Sequence, residues 1–197
     1  MAVSIEDIKR LKSLTGVGLT EAKTALTEAD GDFDKALEAM RKKGLTRAEK
    51  RGERVASEGI IETYSHSGRV GVVVEVNCET DFVARTEEFK ALAHDLALHI
   101  AAMNPQYVNA DDIPADERER KTGEFTEKAK NEGKPDAMVA QIADGMAKKY
   151  FAELCLLDQA FVKDPSTSVG ELIKATGAKL GENIVVRRMA RLELGVN

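Results

Sequence analysis

Asp81 and Phe82 are the residues whose types and placing suggest chemistry. They stand in Thr80-Asp81-Phe82-Val83-Ala84-Arg85, after a valine-rich run, Val70 to Val76, that ends in Asn77-Cys78-Glu79. An amphipathic helix is expected to begin near Thr86. A chain normally leaves a sheet through turn residues and caps; here it sets a carboxylate beside a bare aromatic. An aromatic anchor buries area in a partner, and an adjacent acid fixes orientation or disturbs a charge. The same residues also fit a structural role, with Thr80 as an N-cap, Asp81 as a first-turn dipole residue and Phe82 as a core side chain.

Other chemistry finds little footing. No G-x-x-x-x-G-K-[ST] loop occurs, and Gly16-Val17-Gly18 lies between helices, where it reads as a turn. HExxH is absent, and no Ser-His-Asp pattern has support. His94 and His99 are five apart on a helix, about 140° out of register, so they diverge. Cys78 near a helix start could be stabilised as a thiolate, but a small strand-end residue explains it better. Catalytic residues, a metal and a cofactor are therefore not expected.

The elements that must position Asp81 and Phe82 read as follows. Ile5, Ile8 and Leu11 begin a first helix behind Ser4 and Asp7. Thr15 to Gly18 breaks it. Ala22, Ala25, Leu26 and Ala29 form a second stripe, and Phe33, Ala36, Leu37 and Met40 a third behind the N-cap Asp32. Gly44 is expected to end that helix. Residues 1–44 thus read as a three-helix module, 45–56 as a basic linker helix, and 57–197 as an α+β core domain. Ile60–Tyr64 and Val70–Val76 form a hairpin, with Val70, Val72, Val74 and Val76 on one face. Phe89, Leu92, Ala93, Leu96, Ile100 and Met103 stripe the next helix, which Asn104-Pro105 stops. Residues 115–132 read as an exposed helical arm. Val139, Ile142, Met146, Tyr150 and Leu154 face inward from a long helix, and Asp164-Pro165-Ser166 is a loop. Ser168 and Glu171 cap another helix. A last strand, Ile184–Leu194, is expected to turn Ile184, Val186, Ala190, Leu192 and Leu194 to one face and to complete a three-stranded antiparallel sheet. The fold class is α+β, because crossover helices do not alternate with the strands.

Composition narrows the function. The 197 residues are 43% apolar and 32% charged, with a net charge of −5, which disfavours a generic nucleic-acid binder. The run Arg41, Lys42, Lys43, Arg47, Lys50, Arg51 and Arg54 has no interleaved aromatics and reads as a solvated helix, so no specific nucleic acid is expected. No apolar run approaches the roughly 18 residues that span a bilayer. The first residues carry no signal-like pattern, and two cysteines give no disulfide framework, so a cytoplasmic site is expected.

Four stretches, in order, resemble one family. They are Leu11 to Lys23, Glu79-Thr80-Asp81-Phe82-Val83-Ala84-Arg85, Asp158-Gln159-Ala160-Phe161-Val162 and Gly181 to Arg188. Together they make the chain similar to the bacterial elongation factor Ts family, in its short form. The resemblance implies a guanine-nucleotide exchange factor for the translational GTPase elongation factor Tu, not an enzyme. It implies that Phe82 is a wedge, Asp81 its polar partner, and Thr80 and Val83 the residues that shape the junction, together displacing Mg²⁺. Leu19, Thr20 and Lys23 match positions that touch the GTPase, and the N-terminal module would resemble a ubiquitin-associated domain. Thr86, Thr20 and Met189 replace the frequent Asn, Met and Phe. Long relatives carry a second core subdomain and a coiled-coil insertion. Both are expected to be absent here, so two chains are expected to pair through the sheet as a homodimer. Rival functions are a helix-binding adaptor, a small enzyme and an RNA-associated protein.

Overall fold

The structure is a computed structural model that describes residues 3–15, 17–133 and 135–196; for Ser13, Arg41 and residues 43–50 it describes the backbone. Helices α1 (Ile5–Thr15), α2 (Leu19–Glu28) and α3 (Phe33–Gly52) come first. Ile8, Leu11, Ala22, Ala25, Leu26, Ala36 and Met40 form a core of their own. The alanines let the helix axes approach closely. Asp32 caps α3 by accepting from Lys35 N–H at 3.1 Å. Gly44 does not end this helix, which runs on to Gly52. One interior glycine costs about 1 kcal/mol against alanine, too little to stop a helix continued by good formers. The segment read as a separate linker helix is thus mostly the end of α3. Gly16 and most side chains of the basic run lie outside the described residues.

Strands β1 (Glu58–His66) and β2 (Val70–Cys78) form the hairpin. Ser67 and Gly68, both at positive φ, make the turn, a geometry that suits the strand twist. Strand β5 (Val185–Glu193) pairs antiparallel with the other edge of β2, so the order is β1-β2-β5. Val72, Val74 and Val76 point into the main core with Phe89, Leu92, Leu96 and Ile100 of α5 (Glu87–Met103) and Val169 and Ile173 of α8 (Val169–Leu180). Met103, expected on that stripe, is 46% exposed at the helix end. The capping box of α8 is present: Ser168 Oγ accepts from Glu171 N–H, and the Glu171 carboxylate accepts from Ser168 N–H. The α+β class is met.

The inward face of β5 differs from its expected alternation. Arg188 pairs with Glu75 but Val186 with Val76, so Arg187 is an extra, bulged residue. A bulge reverses the facing of everything beyond it. Val186 stays buried, but after the bulge Met189 packs inward and Arg191 reaches Ala101 O with its Nε at 3.2 Å. Ala190 and Leu192 turn outward, Leu192 being 77% exposed and Leu194 64%.

The remaining elements form a flank. Helices α6 (Ala115–Asn131) and α7 (Asp136–Leu154) pack against each other. The exposed helical arm expected over residues 115–132 is α6, whose buried residue is Ala129, and the long helix expected after Pro135 is α7. The inward residues on α7 are Val139, Ala143, Ala147 and Phe151, one residue along from most of the expected face. Asp164–Ser168 is not a loop but strand β4, paired with β3 (Ala160–Phe161).

His99 pins this flank to the core. It is fully buried; its Nε2 faces Gln159 Oε1 at 2.8 Å, and its Nδ1 lies 3.1 Å from Val162 N. Because Val162 N–H donates to Nδ1, the neutral ring must carry its proton on Nε2. Burial, opposed by the Gln159 bond, lowers its pKa from the ordinary imidazole value. As pH falls below about 6.5, the unfolded imidazole takes up a proton that the native ring refuses, so stability declines. His99→Gln removes this titration. Its unfolding free energy should fall less steeply than the wild type's between pH 6.5 and 5.5; identical slopes would show that His99 is not the group responsible.

Candidate functional site

Phe82 stands where β2 leaves the sheet. The ladder ends at Cys78 opposite Glu58. Glu79 and Thr80 turn the chain into α4 (Asp81–Ala84), a single helical turn. Thr80 caps it, its Oγ1 accepting from Val83 N–H at 3.4 Å. Thr86 closes the other end: its hydroxyl donates to Val83 O at 2.8 Å and accepts from Phe89 N–H at 3.2 Å, starting α5. Ala84 is buried, and Val83 packs against the main core. Inward anchoring at these two positions drives Phe82 outward. It is 79% exposed. A core role for Phe82 is therefore not met.

Asp81 is half-buried, and its Oδ2 lies 2.8 Å from an Arg85 guanidinium nitrogen. Both side chains reach solvent, so the pair contributes about 0–1 kcal/mol and stays free to exchange partners. Leu19, Thr20 and Lys23 all lie exposed on the first turns of α2. They belong to the N-terminal three-helix unit, whose core is separate from the one beneath Phe82. The structure brings Thr80, Asp81, Phe82 and Val83 together and leaves the α2 residues as a second surface.

Several residues around the junction had no assigned role. Glu182, in the loop after α8, accepts from Glu79 N–H, Thr80 N–H and the Thr80 hydroxyl. Glu79 Oε1 accepts from Asn183 N–H at 2.6 Å and lies 3.4 Å from Arg54. Asn183 Nδ2 donates to Arg54 O at 2.8 Å and Gly52 O at 3.3 Å, tying in the end of α3. The bonds from Glu182 and Asn183 span 102 to 131 residues of sequence, and their sequence sign is the Gly181 to Arg188 stretch itself. Cys78 donates its thiol hydrogen to Thr80 O at 3.2 Å. Burial first, then the Glu182 charge, pushes that thiol up to about 11. The preferred reading of Cys78, a small residue at the strand end, agrees with this burial. Among the described residues no group of three or more His, Cys, Asp or Glu is placed to hold a metal ion. His94 instead faces Glu62.

Comparison with known proteins decides the family. The profile described as elongation factor TS matches residues 10–195. The chain belongs to the elongation factor Ts family. It is 49% identical to elongation factor Ts of Herpetosiphon aurantiacus over the full length of both chains. It is 47% identical to that of Alkaliphilus oremlandii, over 99% of this chain and 90% of the relative. With the Moorella thermoacetica factor it shares 48%, over 98% and 96%. The family is one of translation elongation factors, and the exposed Phe82 lies within the matched span.

The thiol chemistry is testable. Burial raises the pKa of both Cys78 and Cys155. At pH 8 the folded protein should react negligibly with Ellman's reagent, whereas unfolding in guanidinium should expose two fast thiols. Rapid labelling of Cys78 in the native protein would contradict the sealed junction.

Proposed function

We propose that this chain is the guanine-nucleotide exchange factor for elongation factor Tu, acting by binding and not as an enzyme. The observation that carries the reading is Phe82: a large aromatic, 79% exposed, on a turn capped at both ends. Its exposure is unfavourable in isolation and makes sense if a partner covers it. The GTPase holds GDP through Mg²⁺ and a phosphate loop. A factor that binds the nucleotide-free form more tightly must weaken GDP binding by the same ratio. Phe82 would insert as a wedge near the helices behind the Mg²⁺ site. Asp81 would supply the orienting charge, exchanging Arg85 for a group on the partner. Thr80 and Val83 shape the turn. Mg²⁺ displacement then releases GDP.

Leu19, Thr20 and Lys23 would dock on the GTPase as a second surface. Leu19 and Leu14 are 51% and 57% exposed, apolar area suited to such a contact. We assign residues 1–44 as a ubiquitin-associated-like docking module, 45–56 as its basic connection and 57–197 as the domain that carries the wedge. Exchange on Tu during polypeptide elongation would be carried out in the cytoplasm.

The outer face of the sheet favours a homodimer. Ile61 and Val73 are 62% and 46% exposed there, and the bulge adds Leu192. Thr63, Val73 and Ala190 stand in one cross-strand row, with Ser65, Gly71 and Leu192 in the next. Apolar side chains on the solvent face of a sheet call for a cover, and a second sheet related by a two-fold axis supplies one. Light scattering should give twice the 21.5 kDa chain mass. Leu192→Asp should shift the protein to monomer while preserving its helical circular dichroism; a wild-type monomer at micromolar concentration would refute the pairing.

The wedge is tested by release of a fluorescent GDP analogue from Tu. Phe82→Ala should slow stimulated release by roughly 30- to 1000-fold, the loss of about 2–4 kcal/mol at a buried anchor, while barely changing the melting temperature. Asp81→Ala should cost less. Wild-type release by Phe82→Ala would end this reading.

A further inference from the structure

We propose that Glu182 is a positioning residue for the wedge: its carboxylate, reaching from the loop after α8, holds the Glu79–Thr80 turn and so sets the direction in which Phe82 projects. This rests on the reading of Phe82 as the inserted group. The two carboxylate oxygens take three donors, Glu79 N–H at 3.0 Å, Thr80 N–H at 3.1 Å and the Thr80 hydroxyl at 2.6 Å. All three lie beyond the last ladder pairs of β2, which are Cys78 with Glu58 and Asn77 with Val185. No sheet hydrogen bond is left to hold this turn. Charge-assisted bonds to a carboxylate, stronger than neutral ones, take over.

The Thr80 hydroxyl has one proton. Committing it to Glu182 leaves a lone pair for Val83 N–H, the bond that begins α4. The Thr80 carbonyl is occupied as well, accepting from the Cys78 thiol and from Ala84 N–H at 3.2 Å. Every polar group of Thr80 is therefore engaged, and Glu182 engages two of them. A helix of four residues cannot sustain itself, so its direction follows from whatever fixes its ends. Asn183 N–H on Glu79 Oε1 completes a reciprocal clasp, in which each acidic residue binds the backbone of the facing segment. The Gly181 to Arg188 stretch thus has a task at the junction besides forming β5.

Glu182→Gln keeps the side-chain length but replaces one acceptor oxygen with an NH₂ that cannot accept from the turn. GDP release from Tu is measured against factor concentration for wild type, Glu182→Gln, Phe82→Ala and the double variant. The maximal release rate of Glu182→Gln should fall about tenfold, as expected for lost hydrogen bonds to a charged group. Its half-saturating concentration should move much less, because the α2 surface still docks. In the Phe82→Ala background the substitution should have almost no further effect, since it acts through Phe82. Two losses that multiply would mark a merely structural role and overturn the proposal. Normal release by Glu182→Gln beside an impaired Phe82→Ala would overturn it too, leaving the wedge standing. Normal release by Phe82→Ala would instead remove the wedge itself and the proposal with it. Should Glu182→Gln melt far below the wild type, Glu182→Asp, one methylene shorter, runs the same cycle.

Discussion

The junction after β2 is held by a carboxylate from the far end of the chain. Glu182 takes the two backbone N–H groups that the sheet no longer pairs, and Thr80 passes the constraint on to α4. Thr80 is exposed, so water could satisfy its N–H in another shape of the turn; the carboxylate instead fixes one shape. The clasp also requires β5 to return beside β2, because Glu182 lies just before it. The antiparallel order β1-β2-β5 therefore brings the starts of β1 and β5 beside the end of β2 that leads to the exposed aromatic.

Burial works in the same direction. Val83 and Ala84 are drawn to the core beneath the sheet, while Thr80 and Thr86 fix the two ends of the turn. Phe82 is left projecting from a rigid base. A preorganised anchor loses little conformational freedom on binding, which leaves more of its contact energy for a partner. In the exchange reading that energy is spent on moving the GTPase helices near Mg²⁺. The bonds from Asn183 to Gly52 O, Arg54 O and Glu79 join the end of α3 and the turn after β2 in one hydrogen-bonded node.

Much of this was legible in the residues. The alternation of Val72, Val74 and Val76 shows because one face of β2 is fully buried. The caps Asp32, Thr86 and Ser168 with Glu171 show because capping is local chemistry. Other features are not local. The bulge at Arg187 has no glycine or turn residue to announce it, so alternation was followed past the point where the facing reverses. On α7, Ala143 and Ala147 fill the interface because the neighbouring helix lies close, and larger residues one position away suggested the wrong face. Gly44 carries a stop signal that the rest of the helix overrides. Asp81 and Phe82 stood out by type alone, but Glu182 did not. An acid in a loop has its meaning only once the fold sets it against the turn.

The claim at the centre is that the factor frees GDP by dislodging Mg²⁺. Release of labelled GDP from Tu, measured with and without the chain across a Mg²⁺ titration from millimolar metal to EDTA, tests it directly. If the wedge acts through the metal, stimulation should be large at millimolar Mg²⁺ and should shrink steeply as chelation removes the ion by other means. Stimulation of the same size in EDTA would show that the chain acts elsewhere on the nucleotide, and would contradict the account.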